Sequence, residues 1–267
     1  MNWNFFFLRR CGFFLGLFLP LVSFAQFYSG SQTEFGQNRV QYQDFKWNYF
    51  KFEKYDVYFN TGGTELAIYT AKAARKHIAE IEKFFDYTLD DRIQFIVYNK
   101  LEDFKQSNIG LTPDDGSNVG GVTRIVGRKV FVFFEGDHVS LEEQIRAGIA
   151  EVLVNQMMYS GNVRDMVKNS ALLALPEWYV RGLVSYVAKG WNSDIDNRVR
   201  DGMMSGRYKK FNHLTGTDAL YAGHAIWYYI AEKYSPAVIP NILYMTKVSR
   251  NVESSFLFVL GVNMRVL

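Results

Sequence analysis

A change of hydrophobic period near residue 138 divides this sequence into two unlike halves. Before it, Phe45-Lys46-Trp47-Asn48-Tyr49-Phe50 and Tyr55-Asp56-Val57-Tyr58-Phe59 alternate aromatic and polar residues, the period-two pattern of half-buried strands. Thr61-Gly62-Gly63 breaks that pattern. A helix is expected from Thr64 to Phe85, where Ile68, Ala71, Ile78, Ile81 and Phe85 recur at helical spacing. Arg92 to Tyr98 predicts a second strand segment, and Asn99 to Gly121 reads as a loop. Lys129 to Phe134 predicts a further strand, with Val122 to Arg124 as its hairpin partner across a turn near Gly127. The unbroken apolar run Val130 to Phe134 predicts a central place in the sheet.

After the change, helix follows helix. Ser140-Leu141-Glu142-Glu143 has the form of a capping box, and Ile145, Ile149, Val152, Leu153 and Met157 follow as an apolar stripe. Pro176 suits the first turn of another helix, which Gly190 ends. Thr217-Asp218 opens the next, stopped by Pro236. A further helix is expected from Val238 to Val248, with Pro240 as a candidate kink. The fold class is α+β: a small mixed β-sheet with a long helix, followed by a mainly helical lobe. Residues 45–267 read as one domain, with a sheet lobe over about 45–137 and a helical lobe over about 138–267.

Composition narrows the class. The 267 residues are 48% hydrophobic and 21% charged, which excludes a disordered or low-complexity chain. The single cysteine, Cys11, excludes a disulfide framework. Residues 1–25 join a basic start (Arg9, Arg10) to an apolar run from Gly12 to Phe24 and a small-x-small end at Ser23-Phe24-Ala25, the grammar of a signal peptide. The run is too short for a comfortable span, which takes about 20 apolar residues. Cys11 precedes the run rather than following it, which excludes a lipoprotein. Residues 26–44 are Gln-rich and read as an irregular lead-in. Removing the first 25 residues takes away two arginines and no acid, leaving 28 basic against 27 acidic residues. Such a balance has no nucleic-acid footprint. The expected product is exported to the periplasm or cell surface, with no membrane span once the signal is cleaved.

Two segments carry a resemblance. One is Gln144-Ile145-Arg146-Ala147-Gly148-Ile149-Ala150-Glu151-Val152-Leu153. The other is Leu175-Pro176-Glu177-Trp178-Tyr179-Val180-Arg181-Gly182-Leu183-Val184-Ser185-Tyr186. Their order after strand, long helix, strand and hairpin resembles the peptidase MA-like gluzincins over roughly residues 50–262. Leu220-Tyr221-Ala222-Gly223-His224 and Phe256 to Gly261 also fit. A similar module stands at the N-terminus of some TolB-like envelope proteins, ahead of a β-propeller. The family pattern places a closing helix after Gly261, and this chain stops at Leu267.

In active members the first helix carries His-Glu-x-x-His, two zinc ligands one turn apart with a general base beside the first, and the second segment adds a glutamate ligand. The resemblance puts Ala147 and Glu151 at the histidine positions, Gly148 at the general base and Arg181 at the third ligand. Alanine and glycine cannot ligate or move a proton, and a permanently cationic arginine repels zinc. A metal site and a cofactor are therefore not expected. His77-x-x-Glu80 makes neither a zincin nor an inverted motif, and His138, His213 and His224 lack a second ligand at helical spacing. If positions 151 and 181 converge, Glu151 and Arg181 are expected to form a salt bridge in place of the metal.

The resemblance without its ligands implies a catalytically inactive, peptidase-like binding or scaffold module, with envelope proteins or peptides as partners. Its cleft residues would be Glu177, Trp178, Tyr221 and His224, beside Glu151 and Arg181. Two other readings stay open: a hydrolase using Glu151 with His224 and Asp137, and a structural module that positions a β-propeller. A carbohydrate site would rest only on Tyr221, Trp227, Tyr228 and Tyr229, most of which are expected in the core. Asn118-Val119-Gly120-Gly121 and Thr61-Gly62-Gly63 lack the spacing of phosphate loops. Ser140 and Ser185 lack a nucleophile elbow. Asp114-Asp115-Gly116-Ser117-Asn118 lacks the glutamate that closes a calcium loop. Arg207, Lys209 and Lys210 read as a solvated face.

Overall fold

A computed structural model describes residues 39–107, 128–159 and 175–264. Residues 1–25, read as a signal peptide, most of the Gln-rich lead-in, Val122–Arg124 with Gly127, and the two polar loops between 114 and 121 lie outside these residues.

The first strands, β1 (Asn48–Lys51) and β2 (Tyr55–Phe59), form an antiparallel hairpin with Phe50 opposite Val57. Phe45 and Trp47, expected in the first strand, precede it and stand edge-on to Tyr98 at 5.9 and 5.3 Å. Gly62, at φ +82°, makes the turn into α1 (Thr64–Phe85), which has the predicted bounds. Strand β3 (Ile93–Tyr98) runs parallel to β2. A short helix, α2 (Leu101–Phe104), lies within the stretch read as loop. Strand β4 (Lys129–Phe133) runs parallel to β3, and the described sheet has the order β1-β2-β3-β4.

Among the described strands β4 ends the order, and Val122–Arg124, the segment expected on its other side, lies outside the described residues. Its apolar run has two covered faces. Val130 and Val132 join the main core. Phe131 and Phe133 join a smaller cluster with Ile96, Tyr98 and Phe104 on the other side. Continuous apolarity reports what lies above and below a strand, not beside it.

The helical part comprises α3 (His138–Tyr159), α4 (Glu177–Lys189), α5 (Ser193–Met204), a 3-10 turn (Arg207–His213), α6 (Gly216–Tyr234), α7 (Val238–Ser249) and α8 (Val252–Leu260). Helix α3 buries residues on every side, from Leu141 and Gln144 to Val154 and Met158, so it is the central helix. One hydrophobic core runs from Tyr55 and Phe95 of the sheet through α3 to Trp178, Trp227 and Phe256.

Three local expectations shift. Helix α3 starts two residues before Ser140, and Asp137 caps it, its carboxylate accepting from the N–H groups of Val139 (3.0 Å) and Ser140 (3.1 Å). A carboxylate serves the positive end of the helix better than a hydroxyl. Glu143 instead meets Lys189 of α4 at 3.2 Å. Pro176 is the cap of α4 rather than its first residue, and Pro240 sits within the first turn of α7, where it needs no kink. Asp137→Ala should therefore cost about 1 kcal/mol in urea denaturation, and Ser140→Ala much less. The opposite ranking would restore the capping box.

Candidate functional site

The site to be tested lies where α3 and α4 pack side by side. On α3, Ala147 is fully buried. Gly148 lies against β4: a Cβ there would stand 2.3 Å from a methyl of Val130. The missing side chain thus lets α3 sit close on the sheet. One turn earlier, buried Gln144 donates its amide to the carbonyl of Phe133 (2.9 Å) and accepts from the N–H of Phe133 (3.0 Å). Phe134 bonds β3, so the backbone groups of Phe133 face away from β3, and Gln144 satisfies them.

Glu151 lies on α3 near Arg181 of α4. Burial pushes its carboxyl up to about 7, with the Arg181 charge pulling the other way. The expected ion pair is not formed: Arg181 pairs with Glu177, one turn back on its own helix. An i,i+4 pair on one helix orders fewer degrees of freedom than a pair across two helices. Glu177 also accepts from the N–H of Gly216 at 3.1 Å and so holds the start of α6. Among the described residues Arg181 pairs with the Glu177 carboxylate on α4, and Glu151 feels its charge only through space.

Helices α4 and α6 cross at Gly182 and Gly223. A Cβ on Gly223 would lie 2.0 Å from the carbonyl oxygen of Trp178. This crossing puts Ser185 against His224, Oγ to Nδ1 at 2.9 Å, with both residues fully buried. Nε2 of His224 has no hydrogen-bond partner among the described residues and sits among the rings of Tyr186 and Trp191. Burial, helped by the charge of Lys189, pulls the imidazole down to about 4, so it is neutral at ordinary pH.

Of the four cleft residues, Trp178 and His224 are core and present no surface to a partner. Trp178 donates Nε1–H to Asn212 (3.3 Å) and packs on Phe211. Glu177 and Tyr221 keep partial exposure, the latter with Arg198 at 5.7 Å from its ring centre. Asp137 and Glu151 are fourteen residues apart on one helix, about 21 Å, so they cannot share a reacting atom. The hydrolase constellation of Glu151, His224 and Asp137 is not assembled.

The other candidates disperse too. Trp227 is buried, Tyr228 is half-buried and stacks on Trp191 at 4.5 Å, and Tyr229 is exposed beside Lys233. Arg207 bonds Asp201 (2.6 Å) and Asp218 (3.3 Å), while Lys209 and Lys210 are exposed. His138 packs on Tyr69 and Phe134.

Sequence reading missed the surroundings of His77. Its two ring nitrogens face Glu80 (2.9 Å) and Glu142 (3.2 Å), and Glu142 also accepts from the hydroxyl of Tyr69 at 2.7 Å. The Tyr69 bond first, then His77, holds the Glu142 carboxyl below its usual range. Only the i,i+3 spacing of His77 and Glu80 was visible beforehand; Glu142 arrives from α3. Among the described residues no three His, Cys, Asp or Glu side chains are grouped to hold a metal, and no helix is long and apolar enough to cross a membrane.

No family model matches the chain, and no curated protein matches it.

Proposed function

We propose that this chain is an exported, catalytically inactive peptidase-like domain that acts as a binding or scaffold module in the cell envelope, with envelope proteins or peptides as its partners. The observation that carries the reading is the chemistry at four positions on two adjacent helices. Gly148 serves helix-to-sheet contact, Ala147 is core, Arg181 is neutralised by Glu177, and Glu151 is an isolated carboxyl pushed up to about 7. None of these supplies the three-ligand set that catalytic zinc requires. Glu177 and Tyr221 remain as the accessible part of the rim.

The test has two arms. Protein purified without chelator should carry no stoichiometric zinc by elemental analysis and should cleave no peptide. In a pull-down from envelope extract, the triple variant Glu177→Ala, Arg181→Ala, Tyr221→Ala should lose the partners that wild type retains, with its fold checked by circular dichroism. Stoichiometric zinc with peptide cleavage would overturn the inactive assignment. An unchanged set of partners would remove the rim as the binding surface.

A further inference from the structure

Away from the α3–α4 site, the hairpin β1–β2 and helix α1 enclose a groove of about 740 Å³, within the roughly 300–1,000 Å³ of small-molecule sites. Its floor is apolar. Phe52 and Tyr55 stack at 4.7 Å, and Ile68 and Ala79 of α1 face them. Phe52 and Ile68 keep 39% and 42% exposure, a wide apolar surface for residues lining one concavity. The hydroxyl of Tyr55, the one polar group of the aromatic floor, is already spent on the carbonyl of Ala71 at 2.8 Å.

The rim is charged, and its charges are not all paired. Lys54 is held by both carboxylate oxygens of Glu82 at 2.7 Å. Lys72 and Arg75, three residues apart on one face of α1, are exposed and make no hydrogen bond or ion pair among the described residues. Glu53 at the hairpin turn is likewise unpaired. The unpaired rim charges therefore sum to one positive charge. A ligand that fits both parts has a long apolar body and a single anionic head. A cationic amphiphile meets Lys72 and Arg75 at the mouth, and a neutral one leaves them unsatisfied.

We infer that this groove binds a free long-chain carboxylate, its chain along the aromatic floor and its head group between Lys72 and Arg75. A guanidinium and an ammonium next to one another suit a carboxylate, the former by two parallel N–H donors. This site is independent of the α3–α4 reading and stands if that reading fails.

The test is isothermal titration calorimetry of the whole protein with dodecanoate, below its micelle concentration. Saturable binding with a negative heat-capacity change is expected, the mark of buried apolar surface. Lys72→Ala and Arg75→Ala should each weaken it at least fivefold, and methyl dodecanoate should bind wild type no better than dodecanoate binds the double variant. Ala79→Trp, at an exposed position in the groove, should block binding while leaving the circular dichroism unchanged. Three results would overturn the assignment. One is no saturable binding. Another is dodecylammonium or the ester binding as tightly as the acid. The third is a wild-type dimer in sedimentation, dissociated by Ala79→Trp, with no response to dodecanoate, which would make the groove a contact between copies of the chain.

Discussion

Gly223→Ala should leave little or no folded protein. Its new Cβ would stand 2.0 Å from the carbonyl oxygen of Trp178 and 2.9 Å from Cα of Gly182, both backbone atoms of a helix. A flexible side chain can move aside; a helix backbone moves only by separating α6 from α4. Separation would pull apart the edge-on pair of Tyr179 and Trp227 (5.0 Å) and the bond from the indole N–H of Trp227 to the carbonyl of Tyr179 (2.9 Å). The expected cost exceeds about 4 kcal/mol, a large part of the 5–15 kcal/mol typical of a domain. Gly261→Ala is the control. Gly261 has φ +71° but open space around it, so alanine there should cost only about 1 kcal/mol through backbone strain. Urea denaturation of the two variants separates steric overlap from strain. Equal costs would mean that the helices do not approach as closely as described.

The second large effect belongs to Glu151. Its carboxyl is raised from 4.5 to about 7 by burial, so between those values the folded chain binds a proton that the unfolded chain has released. Stability from this group is present below about 4.5 and is lost as pH rises towards 7. Glu151→Gln should therefore raise stability by about 3 kcal/mol at pH 8 and change it little at pH 4.5. His224 acts in the opposite sense: its depressed value means stability is lost as pH falls from 6.5 towards 4. Comparing wild type with Glu151→Gln at each pH cancels that contribution. If Glu151→Gln were destabilising at pH 8, the carboxylate would be paired with Arg181 after all, and the pairing of Arg181 with Glu177 would not be its main contact.

That second case also shows where sequence reading stopped. Glu177 and Arg181 are four residues apart on a segment already read as helix, so their pairing was visible in the sequence. The resemblance directed attention instead to positions 151 and 181, which are near one another but do not pair. The local partner prevails because the helix has already fixed the spacing. The cap of α3 has the same lesson: Ser140 fitted a motif, but Asp137 lay close enough to serve the same N–H groups with a full charge.

Strict periodicity determined the class and the long elements. The spacing of Ala71 through Phe85 placed α1 at its observed bounds, although Ile68, read onto the same stripe, is exposed, and Gly190 ended α4 as read, because local backbone preference and one buried face decide both. The order of strands, the filling of Gly148 by Val130, the bonds of Gln144 to Phe133 and the meeting of Ser185 with His224 were decided only in three dimensions. Each joins residues far apart along the chain or on separate elements. The sequence period specifies which face is buried but carries no information about what will cover it.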